Sequence, residues 1–183
     1  MNKQDQEKLN EIIQQPTTDA DIKHFLGNNT KILKYADLSK YNNIHDLLPK
    51  QTDFVVLLFE QEIDKGHWVC ICKNNDEISY FDPYGNRPSE NFKWNSNTTN
   101  NELQQDKRSI LNLFDSSNIP VFYNDFRYQK MENDINTCGR HVSFFIINNQ
   151  QYGRSLDDYH DLMNYLKTTF KLNYDQIVSV VID

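Results

Sequence analysis

The sequence is short of cysteine, of positive charge and of long apolar runs, and each shortage removes a class of protein. Cysteine occurs three times in 183 residues, at Cys70, Cys72 and Cys138, too few and odd in number for a disulfide scaffold. Cys70 and Cys72 stand two apart, so in a strand they share a face, and a bridge between them would be strained. All three are expected as reduced thiols. Cys-x-Cys with His67 nearby offers soft ligands, but no second cysteine pair and no Cys-x-x-Cys spacing completes a zinc site, so no metal is expected. Lysine and arginine number 19 against 26 acidic residues, for a net charge of -7 and a pI near 5.2. The basic residues are scattered, which leaves no footprint for nucleic acid or an acidic lipid surface. No apolar run reaches membrane-spanning length, and Met1 to Asn10 is too polar for a secretory signal. The expectation is a soluble, intracellular chain.

What is present suffices for one core. Hydrophobic residues make up 38% of the chain and aromatics 13%, enough for one well-buried domain and short for two. Residues 1–33 read as peripheral N-terminal helices and residues 34–183 as the core. Leu9, Ile12 and Ile13 form a thin stripe before Pro16, and Thr18 or Asp19 caps a second short helix that stops at Gly27. From Lys34 to Pro49, apolar residues at near-helical spacing around Asn42-Asn43 predict two short helices, or a helix and a loop, over a sheet. Phe54 to Phe59 has the density of a strand buried on both faces. Beyond the hairpin treated below, Asn86 to Asn101 reads as a polar surface loop around Phe92 and Trp94. Leu103 to Phe114 reads as an amphipathic helix with Ile110, Leu111, Leu113 and Phe114 inward, and Ile119 to Tyr123 as a short strand. Asp157 to Phe170 reads as a helix with Leu162, Tyr165, Leu166 and Phe170 inward. Gln176 to Ile182 fits either a strand or a helical turn.

The chemistry concentrates at Asn133 to Asn149, where a polar loop gives way to a strongly apolar helix. Thr137 or Asn136 as N-cap puts Cys138 in the first helical turn, where free backbone N–H groups and the helix dipole favour a thiolate. A nucleophile needs a base and an orienting group. Strands His67–Cys72 and Glu77–Asp82 predict a hairpin about Asn74-Asn75, with Ile71 opposite Ile78, Val69 opposite Tyr80 and His67 opposite Asp82. Trp68, Cys70 and Cys72 then lie on the other face, against Phe81, Ser79 and Glu77. Opposed side chains share a face with Cβ atoms about 5 Å apart, so His67 and Asp82 come within reach of each other. His141, with no carboxylate offered to it by the sequence, reads as a structural histidine or a modulator of the thiolate.

Gly66-His67-Trp68-Val69, then Tyr80-Phe81-Asp82-Pro83-Tyr84-Gly85, then Cys138-Gly139 before an apolar helix together resemble the adenovirus-protease and Ulp1-like (adenain-like) cysteine protease superfamily. The likeness is greatest to capsid-maturation members from large DNA viruses, virophages and related mobile elements. The resemblance implies an α+β, papain-like fold with a nucleophile-bearing central helix against a mainly antiparallel sheet. It assigns His67 as general base, Asp82 as its orienting residue and Cys138 as nucleophile, with Gln129 as oxyanion donor and Asn133 or Asn136 as alternatives. Trp68 would pack over the site as a substrate contact. The implied activity is endopeptidase cleavage of capsid or other virion precursors, in the host cytoplasm or virus factory and within the virion, by a monomer without cofactor. An isopeptidase of ubiquitin-like modifiers and an inactive virion structural protein are the alternatives.

Overall fold

The structure is a computed structural model that describes residues 3–182. In chain order the elements are α1 (Lys3–Gln14), α2 (Asp19–Leu26), β1 (Ile32–Lys34), a 3-10 helix (Tyr35–Lys40), α3 (Ile44–Leu47), β2 (Thr52–Glu62), β3 (Lys65–Asn74) and β4 (Glu77–Phe81). A second 3-10 helix (Asn91–Trp94), α4 (Asn97–Glu102), α5 (Lys107–Asp115), β5 (Val121–Tyr123), α6 (Cys138–Tyr152), α7 (Leu156–Phe170) and α8 (Tyr174–Val181) follow. The sheet runs β1-β2-β3-β4-β5. Its long central strands pair antiparallel, while the short edge strands β1 and β5 lie parallel to their neighbours. The class is α+β, and the sheet is mixed.

The central hairpin differs in register from the sequence expectation. Cys70 faces Phe81, Ile71 faces Tyr80 and Asn74 faces Glu77, so the turn is Asn75-Asp76. The cause is β2, which is long enough to hold Asn74 in the sheet opposite Thr52, while Asn75 N–H donates to the Gln51 carbonyl. Asn75 then takes the positive φ, 53°, that the turn demands. A partner change of two residues leaves every side chain on its expected face. Trp68, Cys70, Cys72 and Phe81 pack toward α6 and α7, where Phe81 stacks on Phe145 at 4.4 Å. Val69, Ile71, Ile78 and Tyr80 pack the opposite way, against Tyr35, Leu38, Ile44, Leu47, Ile110 and Leu113. Each fully buried aliphatic or aromatic side chain contributes about 1.5–3 kcal/mol, so the sheet is held from both sides.

Several elements depart from the periodicity reading. Residues 86–101 fold into the second 3-10 helix and α4, which tuck Phe92 against Phe59 at 5.1 Å and Tyr35 at 5.6 Å. Leu111 is exposed, and α5 turns Ile110 and Leu113 inward. Ser155 caps α7 one residue earlier than expected, and its inner stripe is Tyr159 and Met163 with Leu156 and Leu166, so Tyr165 and Phe170 face solvent. The segment left open is helical, as α8. The N-terminal helices also reach inward: Ile22 of α2 is fully buried in the cluster that contains Phe145.

Candidate active site

His67 lies near the start of β3, where β2 bulges between Glu60 and Glu62. A Cβ on Gly66 would sit 1.9 Å from the Phe59 carbonyl oxygen, so only glycine allows this approach of the two strands beside the histidine. Asp82 follows the last paired residue of β4. Its backbone N–H donates to Asn124 Oδ1 at 2.9 Å, and Asn124 Nδ2 donates back to its carbonyl at 2.8 Å. With the backbone clamped, the carboxylate turns toward β3 and Oδ1 accepts from His67 Nε2–H at 2.8 Å and from Tyr84 N–H at 2.7 Å. His67 and Asp82 are therefore joined across the strand end, although they are not opposite each other in the ladder. Both are buried.

Nε2 is engaged by Asp82, which leaves Nδ1 as the ring nitrogen available to Cys138, a residue lining the same cleft. Burial opposes a charged His67, but the Asp82 charge and hydrogen bond, with the Cys138 hydrogen bond and charge, outweigh it and raise the imidazole to about 10. At neutral pH an imidazolium thus stands beside the sulfur. Tyr84 stacks on the His67 ring at 4.5 Å, and Trp94 meets its edge at 5.3 Å. These two aromatics fix the ring plane, and the sequence reading gave neither a role. Trp94 sits in a polar stretch that carries no periodic signal, while Tyr84 stands in the Tyr80–Gly85 motif only as a neighbour of Asp82.

Cys138 is the first residue of α6, with Thr137 at the N-cap. It opens onto a cleft of about 410 Å³, with His67, Tyr84, Trp94, Gln129 and Asn136 among the lining residues. Gln129 is buried; its Nε2 donates to Tyr84 Oη at 3.2 Å and to the Ile135 carbonyl at 3.0 Å, while Oε1 has no protein partner. Asn136 spends its amide on the Gln14 carbonyl at 2.7 Å, and its backbone N–H on the Ile13 carbonyl. Asn133 is exposed and does not line the cleft. His67, Asp82, Cys138 and Gln129 are thus brought together. Trp68 is not: its side chain points to the opposite face of β3, and its indole N–H donates to the Thr17 carbonyl at 2.9 Å. Thr17 in turn lies so close to Gly139 that a Cβ there would meet its Cγ2 at 2.5 Å.

His141 does have a carboxylate, contrary to the sequence expectation. Asp175 of α8 accepts from its Nε2–H at 3.2 Å, and both groups are buried. Burial pushes the Asp175 carboxyl up, but hydrogen bonds from His141, Thr137 and the Lys130 backbone, with the His141 charge, hold it below the ordinary value. Cys70 and Cys72 are free thiols in the core. Among the described residues no group of three or more His, Cys, Asp and Glu side chains is arranged to hold a metal ion.

The V9 protein of Sputnik virophage, itself uncharacterized, is 35% identical to this sequence over 124 residues, which span 66% of this chain and 69% of V9. The chain belongs to the V9 family. No general family profile matches this V9-family chain. Its fold superposes on the ASFV pS273R protease with a TM-score of 0.50 at 14% identity, over 76% of this chain and 59% of that protease. This V9-family protein thus spans less than two thirds of that protease and shares its fold over the matched part. A looser likeness, with a TM-score of 0.43 at 12% identity, extends over 100% of the chain and 95% of a structure of the SUMO protease Ulp1.

Proposed function

We propose that the protein is a cysteine endopeptidase that cleaves capsid or other virion precursor proteins during particle maturation. The observation that carries the reading is that Cys138 and His67 line one cleft while Asp82, behind the imidazole, is hydrogen-bonded to it at 2.8 Å. A thiol, an imidazole and a buried carboxylate in that order are the parts acyl transfer requires. The Cys138 sulfur, its proton held by His67, attacks the scissile carbonyl carbon; the S–C bond forms as the carbonyl electron pair moves to oxygen. The Cys138 backbone N–H, at the start of α6, donates to that oxyanion. The Gln129 amide joins it once the substrate replaces one of its present acceptors. Collapse of the intermediate breaks the C–N bond, and His67 gives its proton to the departing amine, leaving a thioester. Water, deprotonated by His67, then releases the acyl group and restores the starting pair. Asp82 holds the ring and balances its charge throughout.

Kinship with a virophage protein and a fold shared with a viral protease support virion proteins as substrates. The Tyr84 and Trp94 rings on the cleft wall support small residues, such as glycine, around the scissile bond. The enzyme would work in the host cytoplasm or virus factory and travel in the virion. Mass spectrometry of particles made with Cys138→Ala against wild type tests this: precursors should persist uncut in the variant, and identical protein maps would reject the proposal. Selective release of a tagged ubiquitin-like modifier, with virion precursors untouched, would instead assign an isopeptidase.

A further inference from the structure

The N-cap of α6 is built differently from those of its neighbours. Thr18, Asn43, Ser96, Asp106, Ser155 and Asn173 each accept a backbone N–H from their own first turn, at extended ψ. Thr137 has an equally able side chain, yet it makes no cap, and its ψ is 4°. Its hydroxyl instead donates to Asp175 Oδ1 at 2.6 Å. The same carboxylate accepts from His141 Nε2–H at 3.2 Å and from the Lys130 backbone N–H at 3.3 Å. Thr137 immediately precedes the nucleophile, His141 lies one turn beyond it, and Lys130 immediately follows Gln129. Thr137, His141 and Asp175 are each at most 1% exposed. Asp175 also stands in the first turn of its own helix, so its charge lies at the positive ends of both α8 and α6.

We propose that Asp175 is a positioning residue for acyl transfer: by gathering Thr137, His141 and Lys130 onto one carboxylate, it holds the Cys138 N–H and the Gln129 loop in fixed relation across the cleft. The inference rests on the reading of Cys138 as an acylated nucleophile. Three donors converge on the two oxygens of Asp175, so asparagine cannot replace it, because its amide N–H2 would face one of those donors. Thr137 is held in a non-capping conformation by the same bond. Without Asp175 its hydroxyl is free to swing toward the N–H groups of α6, where it would add a competing acceptor beside the oxyanion.

Two reagents that use the same sulfur separate this role from general folding. With p-nitrophenyl acetate, the sulfur attacks the acetyl carbonyl, the electron pair rests on oxygen, and its return breaks the ester C–O bond and expels p-nitrophenolate. With iodoacetamide, the sulfur displaces iodide in one step and no oxyanion forms. Rates are measured on the full chain, with Cys138→Ala supplying the background from Cys70 and Cys72. Asp175→Asn and Thr137→Val should each slow acylation by about tenfold or more while alkylation stays within about twofold; Thr137→Ser, which keeps the hydroxyl, should acylate at close to the wild-type rate. If both rates fall together in Thr137→Val, or acylation is unchanged in both variants, the proposal is overturned. Should Asp175→Asn fail to fold, the Thr137 pair still decides. A wild-type chain that is alkylated at Cys138 but never acylated overturns the acyl-transfer reading, and this inference with it.

Discussion

Replacing Asp82 with asparagine should move the alkaline limb of the pH–rate profile, and the structure sets how far. The carboxylate accepts from His67 at 2.8 Å in a site where both groups are buried. The interval from the ordinary 6.5 to about 10 for His67, at about 1.4 kcal/mol per pH unit, corresponds to about 5 kcal/mol favouring the imidazolium. Burial alone pushes the other way, so without the Asp82 charge the ring should titrate well below 10. In the proposed mechanism protonated His67 is the acid that releases the amine; wild-type kcat/KM should therefore hold until pH approaches about 10, whereas Asp82→Asn should lose activity several pH units earlier. At pH 8 the deficit should be about 10²–10⁴-fold. The stability effect has a definite sign. A folded-state value above the unfolded one stabilises fully below pH 6.5 and progressively less as pH rises toward 10. Thermal melts of wild type and variant should thus differ most below pH 6.5 and converge above pH 10. A variant with lower kcat but an unmoved alkaline limb and a pH-independent loss of stability would refute the argument that Asp82 sustains the charge on His67.

Three further outcomes follow from side-chain placement. Trp94→Ala should lower kcat/KM with little change in melting temperature, because Trp94 is half-buried at the cleft wall; Trp68→Ala should instead cost about 3–5 kcal/mol of stability, read by denaturant titration, because that ring is core. His141→Ala should destabilise by about 1–3 kcal/mol through the abandoned Asp175 carboxylate, while His67→Ala should abolish activity in a peptide-cleavage assay. The reverse pattern of activity would make His141 the base. Gly139→Ala forces a Cβ into Thr17 and should cost about 1–3 kcal/mol while loosening the Cys138 turn, measurable as faster amide exchange of residues 136–140.

The parts of the fold legible in the sequence are those set by local pattern. The alternation of β3 and β4 assigned both faces correctly, since parity survives a two-residue change of partner. The register itself did not, because it depends on how far β2 extends to hold Asn74, a non-local fact. The helix-heading position of Cys138 follows from the change from polar loop to apolar run. Tyr84 and Trp94 are different, since their ring contacts with His67 arise from the turn after β4 and from a segment whose composition resembles a loop. The carboxylate for His141 comes from α8, distant in sequence and ambiguous in its pattern. Tyr165 and Phe170 show the complementary error, because aromatic residues on a helix need not face the core.

The turn that carries Cys138 is gripped from both directions along the chain: by the Ile13–Thr17 segment, through Asn136 and Gly139, and by Asp175 of α8. During synthesis, Cys138, His67 and Asp82 all leave the ribosome before Asp175 does, so the brace cannot close until translation has passed residue 175. A growing chain therefore carries its thiol, imidazole and carboxylate without the frame that aligns them. Order is built into the topology: under the proposed function, the three reacting groups precede in the chain the late helix that completes their frame.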